Sequence, residues 1–174
     1  KLPSAGEIWT DTETGGNYIV LSINGSVKTV EYAGPIDKDI RTVFIPDTVN
    51  IGGISCKVIS IAKNAFKNCK KLTKVVVGSN IETIGSGAFM GCTRLKSVTI
   101  GKNVKKIGAK AFYGDKKLAK IYIKTSKLKS KKVGSKAFAK IYRKATVKVP
   151  KKKLKAYKTL LIKKGIGRKA SIKK

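Results

Sequence analysis

Side chains suited to catalysis are scarce in this sequence. The 174 residues contain no histidine, so the commonest general base is missing and no imidazole can activate a serine or cysteine. Glycoside hydrolysis requires two carboxyl groups across a cleft, and residues 51–174 contain only Glu82 and Asp115. No phosphate-binding loop of the form GxxxxGKS or GxxxxGKT is present. The sequence therefore predicts a protein that is not an enzyme and binds no cofactor.

One acidic segment has the composition of a cation-binding loop. Asp11, Glu13 and Asn17 alternate with hydroxyl residues and glycines, so several side-chain oxygens lie close together in the sequence. A calcium-binding loop closes with a glutamate at its twelfth position, and this segment has Ser22 there. An exposed hairpin connection is therefore favoured, and no metal site is predicted.

Lysine dominates the charge of the chain. The net charge is +31, from 40 basic and nine acidic residues, and all but four of the basic residues are lysines. Residues 1–50 have a net charge of −3, and residues 51–174 have a net charge of +34. Lysine is a hydrated point charge without the planar fork that arginine uses to read bases. Two interpretations stay open, namely a solvated, solubilising surface or general affinity for polyanions without sequence-specific binding of nucleic acid.

A repeated Ala-Phe pair reveals how the chain is organised. The pairs stand at Ala65-Phe66, Ala88-Phe89, Ala111-Phe112 and Ala137-Phe138, so the period is 23 in the first two intervals and 26 in the last. A fixed period of this length is typical of a solenoid, in which each unit contacts only its neighbours and the product is an extended surface.

The repeated unit also carries a family resemblance. It follows Leu-x-x-Val-x-Ile, then x-x-Val-x-x-Ile-Gly, then x-x-Ala-Phe-x-x-Cys, as in the copy from Leu72 to Cys92. Over residues 42–150 this pattern resembles the BspA-like leucine-rich repeat family. The resemblance implies an α/β repeat solenoid, a right-handed superhelix made mainly of short strands and short helical turns. It also implies a secreted or cell-surface bacterial protein that acts in interaction or adhesion.

Packing considerations alone predict the same coil. Leu72, Val75 and Val77 alternate as an inward-facing strand requires, and Ile84 belongs to a second inward segment. Phe89 is expected to fill the centre of the coil from a short helical or turn segment. Glycines recur at one position of the unit, where we expect a backbone bend that a Cβ would hinder, at Gly85, Gly108 and Gly134.

The chain contains three cysteines, so they cannot all pair in disulfides with one another. Cys69 and Cys92 occupy the same repeat position, and Asp115 stands there in the next copy. Stacked neighbours could approach closely enough for a Cys69–Cys92 disulfide, but buried thiols usually act as small apolar fillers. Free, buried thiols are therefore favoured. With no C-x-x-C spacing, neither zinc binding nor redox chemistry is indicated.

Composition divides the chain into three parts. We predict an N-terminal β cap over residues 1–41, leucine-rich repeats of period 23 over residues 42–150, and a C-terminal capping helix and tail over residues 151–174. In the cap, Asn24-Gly25 predicts a hairpin turn between two strands. The segment Asp47–Lys57, which contains Gly52-Gly53, is expected to be a longer loop that leads into a strand at Val58.

The C-terminal part predicts an amphipathic helix. Its apolar residues share one face at helical spacing, and lysines take the rest, with the apolar face formed by Leu154, Tyr157, Leu160 and Leu161. Covering the last coil is the favoured role, since an open solenoid end exposes core and strand edges. The alternative is a helix that lies on an anionic membrane. A final short strand is expected around residues 170–172.

No apolar run in the sequence approaches the length of a membrane span, which needs roughly 18 residues or more. The chain starts at Lys1 without a signal peptide, and with the family resemblance we expect an extracellular or cell-surface protein whose signal peptide has been removed.

Alignment of the repeats predicts two columns of outward side chains on the main strand ladder. One column is Thr42, Lys74, Ser97, Lys120 and Thr146, and the other is Phe44, Val76, Thr99, Tyr122 and Lys148. Solenoids commonly bind partners on such a ribbon, and its mixed chemistry suits a protein or a glycan. The competing hypotheses are attachment to anionic cell-wall polymer or a membrane surface through the lysine-rich half, and non-specific polyanion binding. The partner and the oligomeric state are not predicted.

Overall fold

Successive repeat units form stacked coils in the computed structural model, which describes residues 3–174. In chain order the elements are β1 (Ile8–Asp11), β2 (Gly16–Ser22), β3 (Thr29–Pro35), β4 (Thr42–Ile45), β5 (Thr48–Ile51), β6 (Ile54–Ile61), β7 (Lys74–Val77), β8 (Thr83–Ile84), β9 (Ser97–Ile100), β10 (Lys106–Ile107), β11 (Lys120–Ile123), β12 (Thr146–Lys148), α1 (Leu154–Lys163) and β13 (Ser171–Lys173). Two short 3₁₀ turns lie at Ser130–Lys132 and Lys151–Lys153. This strand-dominated repeat fold with one C-terminal helix confirms the predicted class.

The main sheet contains one strand from each coil. Its order is β4-β7-β9-β11-β12-β13 with the last strand at one edge, and every pairing is parallel. Within each strand, alternate side chains are buried, as Val75 and Val77 are in β7. The sheet therefore has one face in the core and one face that is not covered by the coil.

The second sheet joins the N-terminal strands to the repeats. Strands β1, β2 and β3 form an antiparallel meander, as their sequence predicts, and β3 then pairs in parallel with β6. From there the sheet continues through β8 and β10, with a final bridge from Ile107 to Val133. Backbone pairing thus runs without interruption from the N-terminal strands into the repeats.

The prediction of a long loop over Asp47–Lys57 is wrong. Strands β5 and β6 form an antiparallel hairpin here, with Thr48 opposite Lys57 and Ile51 opposite Ile54. Gly52 and Gly53 both have positive φ, at +59° and +83°, which is the conformation that a tight two-residue hairpin turn requires. The alternation of apolar and polar residues on both sides of the glycine pair was the missed signal.

An aromatic column fills the centre of the coils. The four phenylalanine rings of the Ala-Phe pairs are stacked with centroids 5.0–5.3 Å apart and planes within 10° of parallel. Tyr32 extends this stack beyond Phe66, and Tyr18 closes it with an edge-on contact at 86°. The cap therefore covers the first coil with the same kind of side chain that the repeats use.

The recurring glycines serve close packing instead of the expected bend. Gly85, Gly108 and Gly134 do not have positive φ. A Cβ on Gly85 would lie 2.6 Å from the backbone of Ala62, and a Cβ on Gly108 would collide with the backbone of Ser86. Adjacent coils thus approach so closely at this position that no side chain fits between them.

The three cysteines are buried, and one acidic residue takes the cysteine position of the repeat in the following coil. Cys56, Cys69 and Cys92 are free thiols with no solvent access of note. Cys92 donates its S–H to the Phe66 carbonyl at 3.1 Å. Asp115 is fully buried at the equivalent position of the next coil. Its Oδ1 accepts the Cys92 N–H at 2.9 Å, and its Oδ2 has no hydrogen-bond partner among residues 3–174.

Helix α1 packs on the last coil of the solenoid. Its apolar face is directed at the last coil, since Tyr157, Leu160 and Leu161 are buried. The Tyr157 hydroxyl donates to the Thr125 carbonyl at 3.0 Å. Because the protein itself covers this face, the alternative of a helix lying on a membrane is wrong.

Candidate interaction surface

The ladder face, defined as the outer side chains of β4, β7, β9, β11, β12 and β13, consists of two parallel rows. Strand register places Thr42, Lys74, Ser97, Lys120 and Thr146 side by side in one row. The other row contains Phe44, Val76, Thr99, Tyr122 and Lys148. All ten residues of the two predicted columns are thus brought together, and each is partly or fully exposed.

The last strand adds two residues that the sequence alignment missed. Ser171 pairs with Thr146 and continues the first row, while Lys173 pairs with Lys148 and continues the second. This strand follows the helix and lacks an Ala-Phe pair, so the repeat period does not reveal it. The signal was local, because Ser171 and Lys173 flank a buried Ile172 as Thr146 and Lys148 flank a buried Val147.

The ladder face changes character along the solenoid axis. At its N-terminal end the Phe44 ring is 62% exposed, with the Lys74 ammonium 5.6 Å from its centroid. Beyond Val76 and Thr99, the second row continues with an aromatic hydroxyl and then with two lysines, at Tyr122, Lys148 and Lys173. One end therefore offers apolar contact, and the other offers positive charge.

A shallow groove of 440 Å³ adjoins the first row. Ser97 and Lys120 form one wall, and Tyr142, which is 43% exposed, contributes an aromatic ring from the turn before β12. The remaining lining comes from Lys96, Lys117 and Ala119. The repeat alignment does not reveal Tyr142, because this residue lies outside the strand pattern and its groove is formed by residues from neighbouring coils.

A second depression, of 380 Å³, lies where the ladder strands end. It borders Phe44 and Val76, and glycines provide the space, because a Cβ on Gly78 or Gly101 would collide with the backbone of the preceding coil. Asp47 closes one side and accepts hydrogen bonds from the backbone N–H groups of Ser79 and Asn80.

The cysteines and the acidic N-terminal segment have structural surroundings. Within residues 3–174, no three metal-binding side chains of the His, Cys, Asp or Glu type lie together. Burial raises the pKa of the Cys69 and Cys92 thiols, which suppresses the nucleophilic thiolate. In the acidic N-terminal segment, Asp11 accepts hydrogen bonds from the backbone and hydroxyl of Thr14, and thus helps to close the β1–β2 connection.

Positive charge after residue 50 is almost uncompensated. Glu82 pairs with Lys105 at 2.5 Å, and burial raises the pKa of Asp115 to about 8, so this second acid is mostly neutral at pH 7.

In the part of the chain that the structure describes, no helix has both the length and the apolar character needed to cross a bilayer.

Comparison with known proteins identifies the repeat. The sequence pattern of the BspA type leucine-rich repeat region matches residues 48–161 in six copies, two more than the Ala-Phe pairs indicate. The chain belongs to this family. Leucine-rich repeat proteins are generally binding modules without enzymatic activity, which agrees with the open ladder face of this BspA-type chain. No curated protein gives a significant match.

Solved structures of bacterial leucine-rich repeat proteins resemble this BspA-type chain. A leucine-rich repeat protein from Bacteroides ovatus is 29% identical, with a TM-score of 0.63, over 76% of this chain and 34% of the other. A leucine rich cell surface protein from Faecalibacterium prausnitzii is 28% identical, with a TM-score of 0.61, over 85% and 38%. The pneumococcal vaccine antigen PcpA, at 19% identity and a TM-score of 0.62 over 84% and 41%, shares the fold. The chain therefore spans about a third of the length of the first two.

Proposed function

We propose that this chain is a non-catalytic interaction module at the bacterial cell surface, which binds a protein or glycan partner through the ladder face. The observation that carries this proposal is the register of the two rows, which holds twelve exposed or partly exposed side chains in a fixed array. The family assignment supports a binding role, and the cell-surface relative from F. prausnitzii supports the location.

The geometry favours an extended partner. Neighbouring strands lie about 4.8 Å apart, so six strands present a ribbon roughly 24 Å long. The backbone of this ribbon is hydrogen-bonded on both sides in its central strands, and therefore little conformational entropy is lost when a partner binds. Many moderate contacts spread along such a rigid surface add up to specific recognition.

The chemistry of the rows indicates what that partner presents. Phe44 and Val76 offer apolar contact at one end of the ladder face, whereas Lys120 and Lys148 can pair with acidic groups at the other end. The Tyr142 ring in the adjoining groove can stack on a sugar or an aromatic side chain. A partner with an apolar end and an acidic end, whether a protein segment or a carboxylated glycan, matches this order, and the positive field accelerates its approach.

A matched pair of variants tests the role of the ladder face. Lys120→Ala with Tyr122→Ala removes one lysine and one tyrosine from the rows, and Lys116→Ala with Tyr113→Ala removes the same two residue types from outside the ladder face. Both double variants have the same net charge. Each is compared with the parent chain on arrays of glycans and purified surface proteins at physiological salt.

We expect the ladder variant to bind its array partner at least tenfold more weakly, as loss of a tyrosine and a charged contact in an interface centre does. The control variant should stay within about twofold of the parent, because it alters no contact of the ladder face. Equal loss in both variants would reject the ladder face as the binding surface. Full binding by the ladder variant would reject it as well.

A further inference from the structure

The last repeat contains an insertion that the structure holds firmly. Its Ala-Phe pair follows the previous one three positions later than the constant period predicts, and the extra length belongs to the insertion loop, defined as residues 126–132. Thr125 anchors the start of the loop, with its Oγ1 donating to the Val104 carbonyl at 2.6 Å. Leu128 is buried, and its N–H donates to the Tyr157 hydroxyl at 3.1 Å. The loop is thus fixed to both the previous coil and the capping helix.

The anchored loop directs lysines onto the outer face of the second sheet. Lys106 of β10 stands beside Thr83 of β8, and the bridge from Ile107 to Val133 brings Lys132 next to Lys106. The result is a depression of 360 Å³, here called the lysine cleft, which is lined by Thr83, Lys105, Lys106, Lys127, Lys129 and Lys132. It shares no residue with the ladder face.

Little in the lysine cleft neutralises this charge. Glu82 pairs with Lys105, and the Lys127 ammonium donates to the Asn103 side-chain oxygen at 2.7 Å. Within residues 3–174, Lys106, Lys129 and Lys132 form no salt bridge. Like charges held together in this way repel one another, so the arrangement gains stability when an anion enters and bridges them.

We propose that the lysine cleft binds the phosphate groups of a linear phosphodiester polymer that carries no bases. Phosphate is favoured because ammonium groups act as point charges with rotatable donors, and several of them can surround one tetrahedral anion. Nucleic acid is disfavoured because none of the aromatic side chains in residues 3–174 lines the cleft, so bases would find nothing to stack on. The cleft then holds the chain on such a polymer while the ladder face stays open to its partner.

Linear inorganic polyphosphate of defined length serves as the probe, measured by isothermal titration calorimetry over a salt series. The test variant is Lys129→Gln with Lys132→Gln, in the cleft. The matched control is Lys155→Gln with Lys158→Gln, which removes two lysines that are also exposed, from helix α1. All four lysines are exposed, so both variants should fold normally, as circular dichroism will verify.

We expect the cleft variant to bind polyphosphate about tenfold more weakly at 50 mM salt and the control to stay within about twofold. The dependence of log affinity on log salt should become less steep by about 1.4 in the cleft variant, since two phosphate contacts are lost. Equal weakening in both variants would show attraction by net charge alone and overturn the proposal, as would absence of binding. A single-stranded oligonucleotide with the same number of phosphates is the comparison ligand. If it binds more tightly than polyphosphate and the cleft variant loses this binding, the cleft is assigned to nucleic acid instead.

Discussion

Replacement of Asp115 by asparagine should change how the stability of this protein depends on pH. Asp115 occupies a position where the two preceding coils have cysteine, and its side chain is fully buried. Burial raises the pKa of this carboxyl group from its ordinary value of 3.8 to about 8. The backbone N–H groups of Cys92 and Gly91 lower the pKa, but they offset only part of the burial effect.

The sign of the effect follows from proton binding. The folded protein holds the Asp115 proton up to about pH 8, whereas the unfolded chain releases it near pH 4. The folded state therefore binds more protons throughout this interval, and the free energy of unfolding must fall as the pH rises. Because one pKa unit corresponds to about 1.4 kcal/mol, we expect a loss of about 4 kcal/mol between pH 5 and pH 8 from this residue.

Urea denaturation followed by circular dichroism at pH 5, 6.5 and 8 measures this loss. Asp115→Asn retains an acceptor for the Cys92 N–H and cannot ionise, so its stability relative to the parent chain should increase by several kcal/mol from pH 5 to pH 8. Asp39→Asn, which removes an exposed carboxylate, is the control for the loss of one acidic side chain. A difference between parent and Asp115→Asn that is the same at all three pH values would refute this reasoning.

Three further predictions concern the repeat core and the capping helix, each measured by urea denaturation. Phe89→Ala should destabilise the fold by about 3–5 kcal/mol, because it leaves a gap between two stacked rings; a loss under about 1 kcal/mol would contradict the aromatic column. Gly108→Ala should destabilise the fold by several kcal/mol, because the new Cβ collides with the neighbouring backbone. Gly167→Ala is the control and should be nearly neutral, because the space around Gly167 is open. Similar effects of the two substitutions would contradict the close approach of coils. Tyr157→Phe should cost about 1–3 kcal/mol by removing two buried hydrogen bonds to the insertion loop and its anchor, and an unchanged stability would contradict that anchoring.

The repeat architecture was predictable because packing repeats with the sequence. Ala-Phe pairs, alternating apolar residues and a constant period each report the inside of a coil, so ten of the twelve residues in the two rows could be assigned by alignment alone. The prediction failed where local chemistry departs from the repeat. The β5–β6 hairpin carries no repeat motif. The final strand was predicted, but its pairing with β12 was missed because β13 follows a helix instead of an Ala-Phe turn.

Features that depend on neighbouring coils could not be predicted from one unit. The role of Gly108 follows from the backbone of the preceding coil, which the sequence does not reveal. The groove beside Tyr142 and the lysine cleft are formed by side chains from separate coils, so they become visible only when the coils are stacked. The fold was thus predictable from the sequence period, whereas the groove beside Tyr142 and the lysine cleft required the three-dimensional register.

Lysine footprinting of the complex tests the central claim most directly. The partner selected on the array is bound to the parent chain, accessible lysines are acetylated, and modified positions are identified by mass spectrometry. Binding through the ladder face should protect Lys74, Lys120 and Lys148, while Lys110 and Lys136, outside that face, react as in the unbound chain. Protection of Lys110 and Lys136, or of the lysine cleft, with unchanged reactivity of the three ladder lysines, would contradict the proposed binding surface.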